Sequence, residues 1–172
     1  MLEKQGDIFI NRMPMETLDM VNIRKGYIGI SEQDPVMLTG CMLDNINPYS
    51  AIDAMTTETT NKVRFYIELL DMLKHENLFF DEAINNKTSD TANTDNNSFA
   101  NLSGGEKQKL SILRLLLKNP DVMIFDEPTS AMDITTSKRF LEHLKEIKGN
   151  KIIIIITHDN LAREICDEFL CL

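Results

Sequence analysis

The sequence predicts an α/β fold in which a mostly parallel sheet is flanked by helices and carries an inserted helical segment. Three observations predict it. Residues Val122 to Phe125 form an apolar run that ends in two adjacent carboxylates, Asp126 and Glu127. Five consecutive isoleucines, Ile152 to Ile156, form a second such run, which ends in Thr157-His158-Asp159. Before and between these runs, apolar residues recur at helical spacing. Short continuous apolar runs describe strands buried on both faces of a parallel sheet. Sheets of this kind bind ligands beyond the C-terminal ends of their strands.

The elements follow in order. Asp7 to Asn11 alternates as a short strand, and Glu16 to Ile23 carries enough apolar residues for a short helix. An Arg24-Lys25-Gly26 turn leads into a strand at Tyr27 to Ser31. From Thr57 to His75 the residues Val63, Tyr66, Ile67, Leu70 and Leu73 repeat at helical spacing and read as core. Leu78 to Ile84 continues the apolar character. Asn85 to Ser98 is almost wholly Asn, Thr, Asp and Ser, a composition that buries little apolar area and predicts a solvated loop. The helix after Glu106 places Leu110, Leu113 and Leu117 on its apolar side and stops at Asn119-Pro120. Asp133 caps a helix carrying Phe140, Leu144 and Ile147, which Gly149 closes. Asp159 caps a last helix through Ile165, and Glu168 to Leu172 begins another strand.

Composition narrows the function. The formal net charge is -9, with a pI near 4.8. That argues against a nucleic-acid or anionic-membrane binder, because counterion release needs a basic surface. Cys41, Cys166 and Cys171 show neither metal-ligand nor redox spacing, which fits a reducing compartment. No apolar run approaches the ~20 residues that span a bilayer, so a membrane role is expected to come through a partner.

The chemistry concentrates in four short stretches. A carboxylate at the end of a buried strand can hold Mg²⁺, and its neighbour can orient or deprotonate a water. Leu102-Ser103-Gly104-Gly105-Glu106 opens the preceding helix. Paired glycines let the backbone approach a phosphate, toward which the positive helix end and its free N–H groups point. Ser103 and Glu106 also form a capping box, which needs no ligand. Ser31-Glu32-Gln33-Asp34-Pro35 closes a strand with a glutamine and a proline turn. His158 stands at the end of the isoleucine strand.

Together these residues resemble the ABC-type ATPases: the signature at Leu102 to Glu106, the Walker B strand at Asp126 and Glu127, and the Q-loop at Gln33. The D-loop matches at Ser130 to Asp133, with Met132 where leucine is usual, and the H-loop at His158. Gln-Asp-Pro with the later Gly40 and Asn45-Ile46 looks like the exporter subclass. The resemblance implies a partial P-loop NTPase core. Residues 1–50 would form a strand and Q-loop part, 51–120 a helical subdomain carrying the signature, and 121–172 the part with Walker B, D-loop and H-loop. It implies ATP and Mg²⁺ as cofactors. Glu127, His158 and Gln33 would be catalytic, Asp126 and Gln33 would hold the metal, and Leu102, Ser103, Gly104, Gly105, Glu106 and Asp133 would contact nucleotide. The implied partners are a second nucleotide-binding domain, arranged head to tail, and the transmembrane domains of a transporter at the cytoplasmic face of a membrane. Lys107, Lys109 and Arg114 could attract phosphate or merely solvate a helix face. His75 and His143 sit in helical segments and are expected to be structural. Nothing in the sequence names a transported substrate.

One part of the pattern is absent. A phosphate-cradling loop needs Gly-x-x-x-x-Gly-Lys-Ser/Thr, and these 172 residues contain no Gly-Lys dipeptide. By resemblance, the chain begins past that loop. Weak ATP binding without turnover by the isolated chain is therefore expected, with the signature serving on an intact partner. A second reading is a non-catalytic or truncated subunit that pairs with an intact ATPase. A third is an ABC ATPase of DNA repair or chromosome machinery, against which the exporter-like segment and the acidic charge count. Without a neighbouring phosphate-loop strand, Ile152 to Ile156 should also present an unpaired apolar edge.

Overall fold

The structure is a computed structural model that describes residues 6–37, 45–46, 56–76, 79–80 and 102–171. The Asn85 to Ser98 loop, most of Leu78 to Ile84, and Cys41 lie outside the described residues.

The chain opens with a small hairpin. Strand β1 (Phe9–Ile10) pairs antiparallel with β2 (Met13–Pro14) across Asn11 and Arg12, whose φ angles are 50° and 66°. Two consecutive left-handed residues make a tight hairpin turn, usually signalled by Asn-Gly. Arg12 in the second position hid it, so only the first strand was foreseen. A 3₁₀ turn (Met15–Thr17) follows, then α1 (Met20–Gly26). This helix starts later than predicted because Asp19 caps it, accepting from the amides of Val21 and Asn22. It therefore absorbs Arg24, Lys25 and Gly26, which were read as a turn.

Strand β3 (Ile28–Ser31) leads to α2 (Thr57–Leu69), capped by the Thr56 hydroxyl. The predicted long helix breaks at Asp71, φ 52°, and resumes as a 3₁₀ turn at Leu73–His75. Helix α3 (Gly104–Lys118) ends at Asn119, which turns left-handed at φ 50° ahead of Pro120. Strand β4 (Val122–Asp126), helix α4 (Ile134–Ile147) and strand β5 (Ile152–Ile156) complete the core.

Among the described residues the main sheet has the order β3-β4-β5, all parallel. Register fixes its faces. Gly29, Met123 and Ile153 lie side by side, as do Ser31, Phe125 and Ile155; this face carries the helices. Met123 and Phe125 are fully buried, and Phe125 meets Phe140 of α4 edge-on at 5.6 Å. Helix α3 seats Leu115 directly over Gly29, where an added Cβ would lie 2.2 Å from Leu115 Cδ1. Leu110, Ile112, Leu113 and Leu116 complete its buried surface against Val63, Ile67 and Leu70 of α2 and its C-cap.

The opposite face departs from the sequence reading. Ile152, Ile154 and Ile156 are 58%, 44% and 52% exposed, and Ile30 in β3 is 56% exposed. Strand β5 is thus half-buried on one face, through Ile153 and Ile155, and exposed on the other. Five identical residues carry no alternation, so sequence could not reveal that one face of the sheet lacks a cover among the described residues. Among the described residues β5 is also the edge strand, as expected. Past it, Asp159 caps a five-residue 3₁₀ helix (Asn160–Glu164) in place of the expected helix. Residues 168–171 form no strand.

Candidate functional site

Parallel strands bring the predicted chemistry to one edge. Ser31 pairs with Phe125 and Asp126 with Ile156, so the residues following β3, β4 and β5 emerge at the same C-terminal rim. Gln33 lies two residues past Ser31, level with Glu127 two past Phe125. Glu127 N–H donates to the Ile156 carbonyl at 2.8 Å, extending the ladder one step. Thr157 and His158 follow directly.

Glu127 is the hub. Its Oε1 lies 2.8 Å from His158 Nδ1, and its Oε2 accepts from the Thr157 hydroxyl at 3.1 Å. An ionised carboxylate only accepts, so the pairing places the His158 proton on Nδ1. The Glu127 side chain is 18% exposed while that of His158 is 88% exposed, so the imidazole reaches outward from a sheltered anchor. Glu127 has φ 46°, a left-handed backbone that costs a non-glycine residue about 1–2 kcal/mol. The strain turns the chain sharply after β4, so Asp126 and Glu127 do not follow simple strand alternation. Around this hub the Thr129 hydroxyl donates to Asp159 Oδ2 at 3.0 Å, and the Asp159 amide donates to the Thr157 hydroxyl at 2.9 Å. The turns after β4 and β5 are thereby tied together.

Asp126 closes β4 half-buried, and its carboxylate has no hydrogen bond or ion pair among the described residues. Gln33 is exposed on the same rim and, among the described residues, hydrogen-bonds to neither Glu127 nor His158. No group of three His, Cys, Asp or Glu side chains gathers for a metal among the described residues. A free carboxylate and an amide oxygen at one rim nevertheless fit Mg²⁺, which takes one or two protein oxygens and completes its shell with phosphate and water.

The glycine-rich turn is built as a helix start. Ser103 Oγ accepts from the Glu106 amide at 3.3 Å, and Glu106 Oε2 accepts from the Ser103 amide at 2.8 Å, a complete capping box. The amides of Gly104 and Gly105 keep no partner among the described residues. Leu102 is buried and anchors the turn. Gly105 packs under the loop after β4, where an added Cβ would lie 2.9 Å from Ala131 Cβ. The expected structural role of His75 proves specific: its Nε2 lies 2.9 Å from Glu106 Oε1, and Lys74 pairs with the same oxygen. Hydrogen bonds from Lys74, then His75, hold the Glu106 carboxyl well below the usual carboxylate range.

Asp133 caps α4: Oδ1 accepts from the amides of Thr135 and Thr136, and Oδ2 from the Thr136 hydroxyl at 2.6 Å. The Thr136 bonds lower its pKa to about 2. Arg114, one of the candidate phosphate attractors, binds Asn45 and the Val36 carbonyl. It ties the segment after Gln33 to α3.

The sequence reading missed Gln108. This buried side chain, 3% exposed, donates from Nε2 to the Glu127 carbonyl at 2.9 Å and accepts from the Ser130 hydroxyl at 3.2 Å. Its signal was a glutamine one turn past the glycine pair, where apolar periodicity offers no reason for a buried polar residue.

Comparison with known proteins places this chain in a family. The family described as ABC transporter matches residues 1–130. The ATP-dependent lipid A-core flippase of Haemophilus influenzae is 30% identical over 171 residues, covering 97% of this chain and 26% of the flippase. ABC transporter B family member 3 of Dictyostelium discoideum is 28% identical over 162 residues, covering 94% of this chain and 10% of that protein. The chain therefore spans between a tenth and about a quarter of these relatives. Among solved structures, the dimeric structure of MJ0796, a bacterial ABC transporter cassette, matches with a TM-score of 0.62 at 25% identity, over 92% of this chain and 66% of that one.

Proposed function

Because this chain belongs to the ABC transporter family, as part of its nucleotide-binding domain, we propose that it supplies the distal half of an ATP-driven motor for export. Its fold is the mixed α/β, P-loop NTPase-like cassette. In this reading Glu127 orients or deprotonates the attacking water, and His158, held by Glu127 Oε1, reaches toward the γ-phosphate. Thr157 fixes the second carboxylate oxygen, so the pair acts with little reorganisation. Asp126 and Gln33 would hold Mg²⁺, which when bound with ATP would neutralise phosphate charge. Ser103, Gly104 and Gly105 close on a nucleotide held by a second cassette arranged head to tail. Transmembrane domains select the cargo, and the chain works at the cytoplasmic face through them. No helix among the described residues is long and apolar enough to cross a membrane.

The observation that carries this reading is the Glu127–His158 contact at the rim shared with Gln33 and Asp126. The phosphate cradle is not encoded in these residues, so ATP affinity must come from elsewhere. A hybrid that places the phosphate-loop part of a related cassette ahead of this chain tests the assignment. The hybrid should hydrolyse Mg-ATP, and Glu127→Gln should lower kcat by about 10²–10⁴-fold while leaving ATP binding intact. Unchanged turnover in that variant would refute the role of Glu127.

A further inference from the structure

Gln108 is a neutral amide, 3% exposed, on a turn of α3 whose neighbours Glu106, Lys107 and Lys109 are charged and only half-buried. Both of its polar ends are used, and neither partner belongs to α3. Nε2 donates to the carbonyl of Glu127, and Oε1 accepts from the hydroxyl of Ser130. Burying an amide is costly unless both ends are satisfied, so the contact is specific to this geometry. Its target is the residue with the least comfortable backbone at the rim. Glu127, at φ 46°, holds that conformation only if its surroundings over-determine it. Three bonds do so: the Glu127 amide to Ile156, the Ser130 amide to the Glu127 carbonyl at 3.1 Å, and Gln108 to the same carbonyl. Only the last comes from a helix rather than from the sheet or the turn itself.

We propose that Gln108 is a positioning residue that acts through Glu127, holding its strained carbonyl so that the carboxylate meets His158, and thereby linking the glycine end of α3 to the catalytic rim. The link is short. Gly104 lies one helical turn before Gln108, so a displacement of the Ser103-Gly104-Gly105 turn moves the amide that fixes Glu127. Gly105 packed under Ala131 forms a second contact in the same direction. Closure of the glycine end on a partner's nucleotide would thus reach the carboxylate of this chain's own site. The proposal rests on the reading of Glu127 as the water-activating group.

The test uses the chain itself and needs no nucleotide. With three histidines in the sequence, ¹⁵N-histidine labelling resolves the His158 ring nitrogens, assigned with a His158→Gln variant. Glu127→Gln gives the nitrogen shifts of an imidazole that has lost its carboxylate. Gln108→Met keeps side-chain length and removes both hydrogen bonds. It should move the His158 shifts at least half of the way to the Glu127→Gln values, with the spectrum still dispersed as in a folded protein. Gln108→Glu keeps an acceptor for Ser130 but replaces the donor to Glu127, and should move them similarly; it serves if the methionine variant does not fold. Ser130→Ala removes the other bond and should leave the His158 shifts near wild type. Wild-type shifts in Gln108→Met or Gln108→Glu would overturn the proposal, as would equal displacement by Ser130→Ala. If Glu127→Gln itself leaves His158 unmoved, the Glu127–His158 pair is not formed. The reading of the rim then falls first, and the proposal with it.

Discussion

Replacing Gly29 with alanine strikes the joint between the sheet and the helix that carries the glycine turn. In the wild type Leu115, 3% exposed, lies so close over the β3 backbone that a Cβ at residue 29 would sit 2.2 Å from its Cδ1 and 3.0 Å from Pro120 Cγ. Carbon contacts are comfortable near 3.5–4.0 Å, so the leucine must move by more than an ångström. It is enclosed by α3 and β3, and the proline ring blocks the other side. Overpacking of this kind costs about 1–3 kcal/mol, offset by about 0.4–1 kcal/mol from the stiffer unfolded chain. A net loss of about 1.5 kcal/mol lowers the thermal midpoint of a domain this size by about 3–6 °C. Urea unfolding followed by circular dichroism reads it, with an unchanged m-value showing that both end states are preserved. Adding Leu115→Ala should cost less in the Gly29→Ala background than in the wild type, because the new methyl occupies part of the cavity. A Gly29→Ala chain as stable as the parent, or strict additivity with Leu115→Ala, would refute the proposed close contact.

Three further outcomes follow from the same contacts. Ser103→Ala removes one half of the capping box and should destabilise the chain by about 1 kcal/mol, whereas Ser103→Asp should restore most of that; equal loss in both would deny the cap. Burial pushes the His143 pKa down, with Nε2 unpartnered and the ring against Phe65 and Tyr66. The unfolded state therefore binds the proton first, and stability should fall as pH drops below the ordinary histidine value near 6.5. His143→Phe should flatten that slope between pH 7 and 5, and an unchanged slope would count against it. Ile154→Lys places a charge on the exposed face of edge strand β5; it should raise the concentration at which the chain aggregates, read by light scattering, with little change in midpoint.

Much of the architecture was legible because parallel strands announce themselves. The runs Val122–Asp126 and Ile152–Ile156 were placed correctly, and the caps at Ser103, Asp133 and Asp159 were readable from residue type and spacing. The convergence of residues at one rim then followed from parallel topology. What stayed hidden depended on neighbours. The hairpin turn at Asn11-Arg12 uses a residue that gives no turn signal, and the break at Asp71 interrupts an unbroken helical periodicity. The exposed face of β5 depends on what covers it, which five isoleucines cannot encode. In the site, sequence pattern singled out Glu127 and His158 but not the left-handed turn that brings them together. Nor did it single out Gln108, whose role is set by a carbonyl 19 residues away in the chain.

In the proposed function the rim carries the reacting groups of an ABC nucleotide-binding domain, whereas the phosphate cradle is not encoded in these residues. Titration of the purified chain with Mg-ATP by isothermal calorimetry tests this most directly. We expect no saturation below about 1 mM, a binding free energy weaker than about −4 kcal/mol. A saturable Kd near 1 μM, about −8 kcal/mol, would contradict it.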